Sequence, residues 1–253
     1  MSRRGAGLLA GALLAAAASV RGQSAVSTQV WGNFILDYPH GKDSLFELDI
    51  EPKIQVAGQG TWRNVDLNPL VEYYPVHWLD LEAELLAGPT HQTNGVVSWE
   101  VTPRVGFRVN LFSNLRERVE QSGTRVGALF GRIRLAALVR FEYRNLYYND
   151  GSPSSHQWRF RVRLESKAGI THPDVSKDGT LYATADVEYY VPFGEDASET
   201  FASKVRFRGG LGYRFNYAWR AELLYIRDAN RKTRDDPFAT STNAVDVRVK
   251  TFF

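Results

Sequence analysis

The sequence predicts an all-β protein: an antiparallel transmembrane β-barrel of about 12 strands, with 10 as the alternative, around a charged interior. Three observations carry this expectation. Apolar and polar residues alternate with period two through most of the chain, and a strand sends successive side chains to opposite faces. The polar faces are dense in ionised residues. Aromatic residues gather near strand ends (Trp31, Trp78, Trp99, Trp158, Trp219, Tyr147, Tyr148, Tyr189 and Tyr190), as the two interfacial girdles of a membrane barrel require. A soluble sandwich also alternates, so the period establishes strands. Charge density and the girdles favour the membrane.

The 253 residues suffice for one large β domain. Cysteine is absent, which excludes a disulfide framework and thiol chemistry. A formal charge of +3 hints at nucleic acid. Arg3, Arg4 and Arg21, however, lie in a leader without acids, and the remainder holds 28 bases against 28 acids. No nucleic-acid partner is expected. Mean hydropathy is negative, as an alternating barrel averages to, and so does not argue against a membrane.

The leader has a charged start at Ser2-Arg3-Arg4 and an apolar run from Gly5 to Val20. Val20 and Gly22 stand three and one residues before a cleavage point at Gln23, the pattern of a secretory signal peptide. No other stretch approaches the ~20 apolar residues of a spanning helix. The expected layout is a signal peptide over 1–22 and a single barrel domain over 23–253, exported to the bacterial outer membrane. Outer-membrane lipids and the barrel assembly machinery are the expected partners.

The strands follow in order. Gln29 to Tyr38 sets Val30, Phe34 and Leu36 on one face. Leu45 to Val56 opposes Phe46, Leu48, Ile50, Ile54 and Val56 to Glu47, Asp49, Glu51, Lys53 and Gln55. After a turn at Gly58-Gln59-Gly60, Thr61 to Tyr74 carries Asn64, Asp66 and Asn68 on its polar face. Tyr74-Pro75-Val76-His77 reads as a tight connection. Trp78 to Ala87 sets Leu79, Leu81, Ala83 and Leu85 against Asp80, Glu82 and Glu84. Val97 to Leu111 opposes Trp99, Val105, Phe107 and Val109 to Glu100, Arg104, Arg108 and Asn110. Ser113 to Arg125 is polar and turn-like, or a short helix.

Phe130 to Tyr147 sets Ala137, Val139, Phe141 and Tyr143 against Leu138, Arg140, Glu142 and Arg144. Asn149-Asp150-Gly151-Ser152-Pro153 is a loop. His156 to Ala168 opposes Trp158, Phe160, Val162 and Leu164 to Arg159, Arg161, Arg163 and Glu165. A loop ending in Lys177-Asp178-Gly179 precedes Leu181 to Val191, which turns Tyr182, Thr184, Asp186 and Glu188 inward. Gly194 to Ser203 is a loop. Lys204 to Phe215 carries Arg206, Arg208 and Arg214 on its polar face, and Trp219 to Ile226 carries Arg220 and Glu222. Ala229 to Thr242 reads as a long polar loop. Asn243 to Phe253 closes the chain, with Val245, Val247, Val249, Thr251 and Phe253 opposite Asp246, Arg248 and Lys250. Its terminal aromatic resembles the assembly signal of outer-membrane barrels.

These runs number eleven. A barrel with both chain ends on one side of the membrane needs an even number, hence the expectation of 12 or 10: one long strand hides a second, or the first lies outside the barrel.

The polar faces define two walls. The acidic wall is Glu47, Asp49, Glu51, Asp66, Asp80, Glu82 and Glu84 on the early strands. The basic wall is Arg104, Arg108, Arg140, Arg144, Arg159, Arg161, Arg163, Arg206, Arg208 and Arg214 on the later ones. Side chains two apart on a strand lie ~6.5–7 Å apart, so each arginine row repels itself unless neighbours compensate. Glu142, Asp186 and Glu188 are placed to do so. One reading is a salt-bridged plug. The other is a narrow pore with a transverse field for small polar or anionic solutes.

Catalytic signals are weaker. Ser154, Ser155 and His156 are adjacent, but a nucleophile pair needs hydrogen-bond reach and a third orienting group, which sequence neighbours rarely supply. His40, His77, His91 and His172 are scattered among turn residues. The expectation is therefore no catalytic residue, with a barrel enzyme acting on envelope lipids as a further alternative. No metal-ligand spacing and no cofactor motif is present. Asp235-Asp236 and Glu195-Asp196 read as solvated loop acids. Gly209-Gly210-Leu211-Gly212 lies within a strand, where small residues ease curvature or make room for a bulky inward neighbour.

The stretches Arg140 to Asn145 (R-F-E-Y-R-N), Trp158 to Arg163 (W-R-F-R-V-R), Asp186 to Tyr190 (D-V-E-Y-Y), Arg206 to Arg214 (R-F-R-G-G-L-G-Y-R) and Val245 to Lys250 (V-D-V-R-V-K) resemble the bacterial family of domain of unknown function 2490. The resemblance is strongest from Arg140 onward. It implies a secreted barrel-like protein and supplies no catalytic residues.

Overall fold

The computed structural model describes residues 26–58, 62–92, 94–111, 132–194 and 202–253. Among them are eleven strands: β1 (Ser27–His40), β2 (Ser44–Ala57), β3 (Arg63–Val76), β4 (Leu79–His91), β5 (Val97–Leu111), β6 (Ile133–Tyr148), β7 (Ser155–Gly169), β8 (Thr180–Phe193), β9 (Lys204–Arg214), β10 (Trp219–Asn230) and β11 (Ala239–Phe252). Each pairs with the next, and β1 pairs with β11 to close the barrel. Closure leaves no strand edge free to recruit another chain.

The expected 12 strands, and the alternative 10, are both incorrect. The eleven runs are the eleven strands. With an odd number the first and last strands run in the same direction, and β1 pairs β11 in parallel from Ser27 opposite Thr242 to Asp37 opposite Phe252. All other neighbours are antiparallel. A parallel ladder holds slightly less per residue than an antiparallel one but satisfies the same backbone groups. The even-number expectation presumed antiparallel closure. We call the end where β1 begins the N-rim and the end where β11 finishes the C-rim.

Strand bounds differ most at the last hairpin. The loop expected over Ala229 to Thr242 shrinks to 231–238, because β10 continues to Asn230 and pairs it with Ala239. β4 likewise runs to His91, opposite Val97. The β3–β4 turn is His77-Trp78, one residue later than the tight connection expected at Tyr74 to His77. The leader, the 113–125 segment, Gln59-Gly60 and Glu195-Asp196 lie outside the described residues.

Polarity is inverted relative to a water-soluble barrel. Glu142, Glu188 and Asp246 are fully buried inside, whereas Phe34, Val71, Val105 and Leu211 are each more than half exposed on the outside. The outward faces carry aromatic residues toward both rims: Trp99, Tyr147 and Trp158 near the N-rim, and Trp78, Phe215 and Trp219 near the C-rim. Trp31 and Tyr190, read from sequence as girdle residues, instead face the lumen and are 5% and 4% exposed. Their strand parity decides this: Trp31 alternates with outward Val30, and Tyr190 with outward Tyr189.

Candidate functional site

Every residue assigned to the two walls occupies an inward position. All but three of them line a cavity of about 430 Å³ inside the barrel. Arg214, Asp80 and Glu82 do not line it. Arg214 lies at the C-rim, 3.6 Å from Asp178 and donating to the Tyr217 carbonyl at 3.1 Å. Asp80 accepts from Asn110 at 3.2 Å, and Glu82 is taken up by Arg140 at 2.5 Å. Lys53 is the one base among the described inward positions of β1 to β4, so the acidic and basic walls do face one another.

The charges are paired along the wall rather than left as bare rows. Glu142 on β6 pairs with Arg104 Nε across 3.1 Å and accepts hydrogen bonds from Arg159 at 2.5 Å and from Arg161. Glu188 on β8 accepts from Arg161 at 2.6 Å, from Arg163 at 3.2 Å and from the Tyr190 hydroxyl at 2.8 Å. Asp186 takes Arg208 at 2.9 Å. Thus the three carboxylates expected to relieve the arginine rows do so. On the other flank, Glu84 binds Arg104 at 2.7 Å and Arg140 at 2.6 Å. Arg140 reaches Glu82, two strands away, over Gly106, where a Cβ would stand only 3.2 Å from the Glu82 Oε1. Pairing of this density is what buried charges demand, since an unpartnered one costs several kcal/mol.

A family model described as "Protein of unknown function (DUF2490)" matches residues 28–238. The chain belongs to the DUF2490 family. The match takes in the early strands and the stretches from Arg140 to Arg214; Val245 to Lys250 lies beyond it. A search of curated proteins finds no match.

In this DUF2490 barrel, aromatic rings join the ion pairs into a belt near the N-rim. Trp31 has Lys53 from β2 at 5.0 Å and Arg206 from β9 at 4.9 Å from its ring centre. Its ring therefore spans from one wall to the other and packs with Ile226 and Ala244, the apolar cluster of the interior. Tyr190 is faced by Arg159, Arg161, Lys204 and Arg206. Cation–π contacts strengthen when water is excluded. At the β1–β11 seam, Lys250 bridges Asp37 at 2.7 Å and Glu47 at 2.6 Å.

Sequence reasoning placed Lys53, Arg248 and Lys250 on polar faces without assigning them to a wall. It missed Trp31 and Tyr190 because position near a strand end was weighed above parity. Tyr190→Phe keeps the ring and removes the bond to Glu188. It is expected to lower the free energy of unfolding by about 1.5–3 kcal/mol, the range for a hydrogen bond to a charged group. A urea titration of the folded barrel reads this as a lower midpoint.

Proposed function

We propose that this protein is a bacterial outer-membrane β-barrel whose interior is an ion-paired plug, with a structural or accessory role. One observation carries the reading: apolar side chains are exposed on the outer face while carboxylates and guanidinium groups are buried and paired inside. Hydrocarbon solvates the first arrangement and water does not. Strands of 11 to 16 residues reach or exceed the ~9–11 that a tilted strand needs to cross a bilayer. Outer-membrane lipids are then the partner of the apolar face. The outward Phe253 at the C-rim, 71% exposed, is accessible to the barrel assembly machinery.

The test is single-channel recording of the heat-modifiable, folded protein in a planar bilayer. The plug predicts silence. Discrete, reproducible conductance steps would overturn it.

A second reading, a narrow channel for small polar or anionic solutes, rests on the cavity itself. The side-chain oxygens Asn33 Oδ1, Asp49 Oδ1 and Asn68 Oδ1 are buried, have no protein partner, and belong to residues that line it. Such acceptors suit a hydrated or hydroxylated guest. Under this reading, replacing Arg159, Arg161 and Arg163 by glutamine shifts ion selectivity towards cations.

A further inference from the structure

The outer face of the β6–β7 hairpin holds a second constellation, outside the lumen. His156, the second residue of β7, stands directly opposite Asn145 of β6. Its Nδ1 lies 2.7 Å from Asn145 Oδ1. Its Nε2 lies 3.2 Å from the Oγ of Ser154. Asn145 is buried, while Ser154 and His156 are exposed at the N-rim.

The hydrogen bonds of Asn145 assign the protons. Its Nδ2 donates to the carbonyls of Val101 at 3.0 Å and Tyr143 at 3.2 Å. The Oδ1 must therefore be the atom facing the imidazole, so Nδ1 carries the hydrogen and donates. In the neutral ring Nε2 is then the basic nitrogen, and it faces the serine hydroxyl. This is the tautomer a general base needs. Register holds the ring in place, with Tyr143 stacked on it at 6.2 Å and Tyr147 edge-on at 6.3 Å.

We propose that Ser154, His156 and Asn145 form a nucleophile–base–orienter triad that hydrolyses carboxylic esters with an apolar acyl chain, presented at the outer rim of the barrel. Ser154 and His156 are the catalytic residues, and Asn145 is the positioning residue. The Ser154 proton passes to His156 Nε2 as Oγ bonds to the ester carbonyl carbon. The imidazolium returns that proton to the departing alcohol, leaving acyl-Ser154. Water then attacks, His156 takes its proton, and the proton goes back to Oγ as the fatty acid leaves. Ester and water yield acid and alcohol, with no other reactant. The surrounding Tyr143, Tyr147 and Trp158 present an apolar, aromatic outer face. The preference for lipid esters rests on the membrane reading above, whereas the triad does not.

The test treats the folded, heat-modifiable full chain with a fluorophosphonate probe and follows hydrolysis of p-nitrophenyl butyrate and of phosphatidylethanolamine–phosphatidylglycerol vesicles. The expected results are an adduct on Ser154, and turnover lost by at least ~100-fold in Ser154→Ala and His156→Ala. Ser155→Ala should be unchanged. Asn145→Ala should lower kcat by ~10-fold or more with KM unmoved, and Asn145→Asp should restore it. Fatty acid released from vesicles identifies membrane lipid as the source of the ester. Turnover of the butyrate alone supports the triad and assigns soluble esters instead. No Ser154 adduct, or turnover equal in wild type and Ser154→Ala, overturns the proposal: the contacts are then an inert surface hydrogen bond.

Discussion

Replacing Glu142 by alanine is expected to be among the most damaging single changes in the barrel. The carboxylate is fully buried and receives Arg104, Arg159 and Arg161. Removing it leaves three guanidinium groups around a hole. Arg104 retains Glu84 and Arg161 retains Glu188, whereas Arg159, among the described residues, loses its carboxylate and is left over the Tyr190 ring. Truncating one member of a buried ion-paired group typically costs about 3–5 kcal/mol, because the remaining charges stay desolvated. The expected result is a loss of that order in urea unfolding, with folded barrel still recovered at low temperature. Adding Arg159→Met to Glu142→Ala should recover part of the loss, since the guanidinium left without a carboxylate disappears. Additivity of the two changes would show that the pair does not interact.

The same network shows what the sequence made legible and what it hid. Alternation located all eleven strands and assigned Glu142 and Glu188 to the face of the arginines they neutralise. A period of two is a local property, and it survives any error in long-range pairing. Closure is not local. Lys250 meets Glu47 across a seam between positions 203 apart in sequence, and the period gives no sign of whether that seam is parallel. The rule of even strand number filled the gap and was incorrect here. The proposed rim triad was half legible. Ser154 and His156 stand two apart in sequence, while Asn145 comes opposite His156 only through the hairpin register. Counting back across the Asn149-to-Ser154 loop would have found it.

The second large effect is expected at Gly210, and its neighbour supplies the control. Gly210 faces inward on β9 beside Leu223 and Leu224 of β10. A Cβ there would stand 2.0 Å from the Leu223 carbonyl oxygen and 2.8 Å from the Leu224 Cα. Those are backbone atoms, so the two strands would have to separate. Gly209 faces outward, and the nearest atom to its Cβ is the Thr184 carbonyl oxygen at 4.0 Å. Gly210→Ala should therefore cost about 3 kcal/mol, the upper end for overpacking, and Gly209→Ala almost nothing. Two residues on, Gly212 makes room for the Tyr182 ring, whose hydroxyl donates to Glu222 at 2.8 Å. Lys167 joins the same carboxylate at 3.3 Å. Gly212→Ala should displace the ring and weaken that three-residue contact, without the backbone separation that Gly210→Ala forces. Heat-modifiability on gels and urea midpoints measure all three variants. Equal stabilities for Gly209→Ala and Gly210→Ala would mean that β9 and β10 approach less closely than these distances require.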